Sequence, residues 1–149
     1  MLIFIGFFCS GKTTQGIKLA KEKNLPFIDT DDLIEQRYKM PIWAVFQTLG
    51  EKHFREIEHE ILSSIPKQDA VLATGGGTPL TEKNQILLKQ MGKLTYLKTP
   101  FETLYSRILD RRLPSFIDEK NPYASCKKIF DQRDIIYTKI ADIIQEINT

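Results

Sequence analysis

Gly6, Gly11, Lys12 and Thr13 stand in the order Gly-x-x-x-x-Gly-Lys-Thr, and that order suits the gripping of phosphate. The glycines let the backbone curl so that successive N–H groups point inward at phosphate oxygens. A helix starting near Gly11 adds the positive end of its dipole. Lys12 can reach the β- and γ-phosphates, and the Thr13 hydroxyl can hold Mg²⁺. The plain alternative is a Gly-rich strand-to-helix turn; a strand before and a helix after favour a nucleoside triphosphate site.

Three further groups of residues could do chemistry. Asp29-Thr30-Asp31-Asp32 gathers carboxylates at a strand end, where open parallel sheets place their ligand crevice, although Asp29 or Thr30 could equally cap the next helix. Thr74-Gly75-Gly76-Gly77-Thr78-Pro79 implies either close backbone approach to a ligand or a plain loop. Arg107, Arg111 and Arg112, with Asp110 among them, make a cationic patch at a helix end. With residues 115–122, a polar stretch longer than a minimal turn, they read either as a mobile lid (about 111–122) over a nucleotide or as dipole-favoured arginines. Arg55 and Glu58 are three apart on a helix; by periodicity alone they are an exposed ion pair worth under about 1 kcal/mol.

The elements that must position these groups alternate. Strands are expected at residues 2–5, 25–28, 70–73 and 94–97, with a last one within 140–147. Helices are expected at 14–23 (Ile17 and Ala20 inward), 33–38, within 42–50, at 51–64 (Phe54, Ile57, Ile61 and Leu62 on one stripe), from Thr81 to Gly92 through Ile86, Leu87 and Leu88, and at 124–137. Thr99-Pro100-Phe101-Glu102 reads as a helix start with Thr99 as cap, and Leu104 and Ile108 continue it. The pattern predicts a three-layer α/β/α fold around a central parallel sheet of about five strands.

The totals narrow the partners. At 149 residues one domain is expected, with 42% hydrophobic and 27% charged residues, as in an ordinary globular chain. Twenty-one basic against 19 acidic residues, a net +2, argue against nucleic acid or membrane as the main partner. Cys9 and Cys126 have no metal-ligand spacing, and without a signal peptide or spanning segment a cytoplasmic location is the expectation.

Taken together, Gly6-Phe7, Phe27-Ile28-Asp29-Thr30-Asp31, Phe54-Arg55-x-x-Glu58 and Leu72-Ala73-Thr74-Gly75-Gly76-Gly77 resemble the shikimate kinase family of small P-loop kinases, over about residues 2–142. The resemblance implies transfer of the ATP γ-phosphate to the 3-hydroxyl of shikimate, in aromatic amino-acid biosynthesis, with Mg²⁺. It implies Asp31, Lys12 and Arg112 as catalytic groups, and a nucleotide site of Gly6, Cys9, Ser10, Gly11, Lys12, Thr13, Thr14, Arg107 and Arg112. Shikimate would be held by Asp31, Arg55, Gly75, Gly76, Gly77 and Arg133, with Glu58 fixing Arg55, and the metal by Thr13 and Asp29. The segment at about 30–64 would carry the acceptor, and the protein would be a monomer.

The sequence departs from the family pattern in places. Cys9 stands where Gly is usual, Arg112-Leu113-Pro114-Ser115 replaces Arg-Pro-Leu-Leu, and Arg133 is followed by Asp134-Ile135-Ile136 before Tyr137 restores the register. Arg112, or Arg111, then supplies the lid charge. An adenine-contacting loop and final helix beyond the last strand are expected of the family and not found before Thr149; the expected consequence is an apolar patch on one sheet face that could support self-association. Two other readings follow from the same residues: a kinase for another small hydroxylated acceptor, such as gluconate or a nucleoside monophosphate, and a nucleotide-binding protein with impaired catalysis.

Overall fold

The computed structural model describes residues 1–148. β1 (Leu2–Ile5), β2 (Phe27–Asp29), β3 (Val71–Ala73), β4 (Lys93–Lys98) and β5 (Ile143–Glu146) form one all-parallel sheet in the order β2-β3-β1-β4-β5. Between them run α1 (Lys12–Lys23), α2 (Thr30–Tyr38), α3 (Ile42–Leu49), α4 (Glu51–Ser64), α5 (Glu82–Met91), α6 (Phe101–Leu109) and α7 (Pro122–Ile140), with a 3₁₀ turn at Thr78–Leu80. This is the expected three-layer arrangement with five strands.

Alternation along the strands divides the core. Ile3, Ile5, Leu72, Leu94 and Tyr96 face one side and pack with Leu88 of α5, Leu104 and Ile108 of α6 and Phe130 and Tyr137 of α7. Phe4, Val71 and Leu97 face the other, where Ala20 of α1 covers them. A separate cluster of Ile34, Val45, Phe54, Ile57 and Ile61 holds α2, α3 and α4 together beside the sheet. The parallel register, with Phe4 opposite Ala73 and Thr95, and Asp29 opposite Ala73, brings the residues that follow β1, β2, β3 and β4 to one end of the sheet.

One helical stripe is rotated from the expected phase: Ile17 is 52% exposed, not inward, while on the helix carrying Ile86, Leu87 and Leu88 it is Leu88 that is buried and Ile86 that is 53% exposed. On α1 the contact with β2 is made by Gly16: a Cβ there would lie 2.5 Å from Phe27 Cε1. That close approach turns Ile17 outward and leaves Ala20 on the sheet. On α5 the inward positions are Asn84 and Leu88, one turn apart, which carries Ile86 to solvent. Thr99 does not cap α6; Pro100 takes that place, and the buried Thr99 hydroxyl donates to the Ser10 carbonyl at 3.1 Å. Residues 115–122 are not wholly polar surface either, since Ile117 is buried in the main core and Phe116 packs against it.

The edge strand β5 is exposed along its length, with Ile143 and Ile144 open to solvent. No helix among the described residues is long and apolar enough to cross a membrane.

Thermal denaturation separates the two kinds of apolar position. Leu104→Ala, emptying a fully buried site, should cost about 2–5 kcal/mol. Ile86→Ser, at an exposed apolar site, should stay within about 0.5 kcal/mol.

Candidate active site

The phosphate loop is built from left-handed residues and braced from three sides. Gly6, Cys9 and Gly11 have φ of 152°, 65° and 96°. A Cβ on Gly6 would lie 2.9 Å from both the Leu97 carbonyl and Ser10 Oγ, so that position accepts only glycine. Cys9 takes up its positive φ at a cost of about 1–2 kcal/mol, which explains why glycine suits that place. The loop is held by Lys12 Nζ, donating to the carbonyls of Gly6 (2.7 Å) and Phe7 (2.9 Å), by Thr99, and by Arg107 Nη1, donating to the Cys9 carbonyl at 2.9 Å. Burial draws the Lys12 ammonium down to about 8, against the pull of Asp31 and Asp29. A desolvated cation whose hydrogen bonds go to neutral carbonyls favours an anionic neighbour, and phosphate meets that need. Burial pushes the Cys9 thiol up despite Arg111, Lys12 and Arg107 nearby, so it is held as the unreactive thiol.

At the end of β2 both oxygens of Asp29 are used. Oδ1 accepts from the Asp31 backbone N–H at 2.9 Å and caps α2; Oδ2 accepts from the Thr13 hydroxyl at 2.9 Å. Capping and a role at the phosphate loop are thus combined in one side chain. Thr13 and Asp29 are hard oxygen donors beside the loop. Among the described residues no three His, Cys, Asp or Glu side chains converge as a metal-binding group. A cation here would therefore draw its other ligands from phosphate and water, which suits Mg²⁺. Asp32 lies on the surface. Asp31 turns inward, and burial, with Asp29 and Glu58 adding repulsion, pushes its carboxyl up to about 7.

The glycine turn after β3 is packed against functional groups on every side. A Cβ on Gly75 would come within 2.7 Å of Asp31 Oδ1, and one on Gly76 within 3.2 Å of the Phe8 backbone N. One on Gly77 would overlap the Arg55 guanidinium. The Gly75 N–H donates to Thr30 Oγ1 at 3.0 Å, and the Tyr137 hydroxyl donates to the Gly76 carbonyl at 2.5 Å. The turn is a close-approach device rather than a plain loop.

Arg55 and Glu58 are not an exposed pair. Glu58 is 2% exposed and the Arg55 side chain 14%, with Nη1 and Oε1 2.5 Å apart. Glu58 Oε2 accepts from the Thr78 hydroxyl at 2.7 Å; Asn84, buried, donates to the Thr78 carbonyl at 3.0 Å. Both carboxylate oxygens are satisfied, so Arg55 is held in one orientation. Arg133 of α7 lies over the rings of Phe116 (4.6 Å) and Phe7 (5.8 Å) and hydrogen-bonds Tyr137. Burial lowers its guanidinium from the ordinary value.

These groups enclose two cavities. The first, about 410 Å³, is lined by Cys9, Ser10, Gly11, Lys12, Thr13, Thr14, Asp29 and Arg107 among others. Gly6 is not part of that lining; its carbonyl holds Lys12. The second, about 260 Å³, is walled by Ile42, Trp43, Phe46, Phe54, Leu113, Pro114 and Phe116, with Arg55, Glu58, Gly75, Gly77 and Arg133 as its polar groups. Phe8, Asp31, Gly76 and Arg111 line both. Arg112 does not reach the phosphate cavity. Its guanidinium stacks on Trp43, 3.8 Å from the ring centroid, and Arg111 faces the junction instead. The sequence reading missed the aromatic wall, since Phe46 is one apolar residue in a short helix and Phe54 reads only as core. Tyr137 stood out there as a register marker, and its hydroxyl proves to hold the glycine turn.

A phosphate loop at the head of a parallel sheet, opening onto a second enclosed site with its own cations, defines a small P-loop phosphotransferase acting on a small-molecule acceptor. A sequence model of the family described as "Shikimate kinase" matches residues 8–149. The chain belongs to the shikimate kinase family of ATP-dependent phosphotransferases. It is 38% identical over 151 aligned positions to the shikimate kinase of Francisella tularensis subsp. holarctica, covering 99% of this chain and 85% of that protein. It is 35% identical over 143 to that of Aquifex aeolicus, covering 95% and 83%. The structure of the shikimate kinase from Acinetobacter baumannii in complex with shikimate superimposes with a TM-score of 0.92 at 32% identity, over 99% of this chain and 83% of that one.

The raised carboxyl of Asp31 has a consequence for stability. An unfolded Asp titrates near 3.8 and the folded one near 7, so the native state holds the extra proton between these values and stability falls as pH rises through that window. Asp31→Asn removes the loss. The variant should melt several degrees above the wild-type chain at pH 8, and the gap should close toward pH 4. A gap independent of pH would contradict the shift.

Proposed function

We propose that this chain transfers the γ-phosphate of ATP, in the first cavity, to the 3-hydroxyl of shikimate held in the second. The observation that carries the reading is the meeting of the two cavities at Asp31, Gly76 and Arg111, with a guanidinium pair in the acceptor cavity. The loop N–H groups and Lys12 grip the phosphates; Thr13 and Asp29 would hold Mg²⁺, which would supply charge neutralisation at the phosphate oxygens. Arg55 and Arg133 take the acceptor carboxylate, where planar guanidinium forks suit a planar anion. Phe46 and Phe54 suit the apolar faces of its ring. Asp31, lifted toward neutrality, accepts the proton of the attacking hydroxyl, a value matched to work near pH 7. Arg111, rather than Arg112, neutralises charge between the two sites. A monomer in the cytoplasm fits this reading. Other acceptors, such as gluconate or a nucleoside monophosphate, are opposed by the buried Arg55–Glu58 pair and the glycine turn, the features by which this site resembles the shikimate kinases. Impaired catalysis is opposed by the intact junction.

ADP release from Mg-ATP should depend strongly on added shikimate; release that shikimate leaves unchanged would overturn the assignment. Asp31→Asn should lower kcat by roughly 10²–10⁴ with ATP affinity retained, and kcat/KM of the wild-type chain should fall below about pH 7 as Asp31 takes up its proton. Arg55→Ala should weaken shikimate binding by about 1.5–3 kcal/mol, read by titration calorimetry.

A further inference from the structure

Arg111 and Arg112 are neighbours in the chain and have different surroundings. Arg111 lines the junction of the two cavities, whereas Arg112 lines only the acceptor cavity and sits over the ring of Trp43, a residue of α3, 3.8 Å from its centroid. The two contacting elements belong to different packing groups: α3 packs with α2 and α4 in their own cluster, and the segment after α6 is anchored by Ile117 in the main core. Leu113, Pro114, Ser115 and Phe116 continue from Arg112 across the same cavity. The stack therefore joins the roof of the acceptor cavity to its wall. Indole is the best of the aromatic faces for a cation, and a guanidinium can hold to it with its delocalised charge over the ring.

We propose that Arg112 is a positioning residue that latches the segment after α6 onto Trp43, closing the acceptor cavity and thereby setting the adjacent Arg111 at the transfer junction. The latch rests on the proposed acceptor site for its catalytic consequence, though the stack itself is a property of the free chain. It separates two duties that one lid arginine would otherwise share: Arg112 holds the closed position, and Arg111 meets the phosphate. Because the lever is acceptor-side closure, its loss acts on the acceptor more than on ATP.

Trp43 is the chain's one tryptophan, so its emission reports the stack directly. Acrylamide quenching of the free chain should rise in Arg112→Gln and stay near wild type in Leu109→Ala, a nearby exposed change on α6. Unchanged quenching in Arg112→Gln would overturn the latch whether or not the chain uses shikimate. In steady-state kinetics, Arg112→Gln and Trp43→Leu should each raise KM for shikimate about two- to fivefold with a smaller change in KM for ATP, the size of an exposed cation–π contact. The double variant should be no worse than either single, and Trp43→Phe should restore most of the loss. Additive effects, or an Arg112→Gln defect confined to KM for ATP, would overturn the latch and make Arg112 a phosphate ligand. Absence of shikimate-dependent turnover in the wild-type chain would instead count against the proposed function, leaving the quenching result to decide the latch.

Discussion

The Asp29 carboxylate is where the two halves of the cleft are joined. One oxygen receives the Thr13 hydroxyl, from the first turn after the phosphate loop; the other receives the Asp31 N–H, at the start of α2. A helix cap is ordinarily a local matter of about 1 kcal/mol. Here it also sets the distance between the groups that would meet nucleotide and the carboxylate that would meet the acceptor. Parallel strand register brings β1 and β2 to the same end of the sheet, and this short side chain converts that nearness into a fixed geometry.

The glycine turn depends on the same economy of space. Gly75, Gly76 and Gly77 each give up a side chain to a different neighbour: Asp31, the phosphate-loop backbone and Arg55. Thr30 of α2 and Tyr137 of α7 hydrogen-bond the turn itself, and Thr78, in the 3₁₀ turn that follows, ties it to α4 by donating to Glu58. The polar groups of the acceptor cavity are therefore oriented by partners that do not themselves face the reaction, which is how a pocket keeps its shape between turnovers.

Much of this was legible in the sequence, for physical reasons that can be named. The phosphate loop, α4 and the strand–helix alternation are local patterns, and local patterns survive into the fold. Ile17 misled because periodicity gives the existence of a stripe but not its phase once Gly16 makes the closest contact. Arg55 and Glu58 looked like a surface pair because their burial comes from Thr78 and the glycine turn, some twenty residues away. Thr99 has every local mark of a cap, yet its hydroxyl is taken by Ser10, remote in sequence. The division between Arg111 and Arg112 could not be read at all, since two adjacent arginines are distinguished only by what each one faces.

The separate small core of α2, α3 and α4 bears on how such an enzyme changes over time. Phe54, Ile57 and Ile61 hold the acceptor wall together without taking part in the packing of the sheet that carries the phosphate loop. Substitutions lining that wall can alter which small hydroxylated compound is accepted while the grip on phosphate is inherited intact. The acceptor wall thus draws on two packing groups, this cluster behind Phe46 and Phe54 and the main core behind Leu113 and Phe116, and a change on the first side can be absorbed apart from the packing behind the phosphate loop.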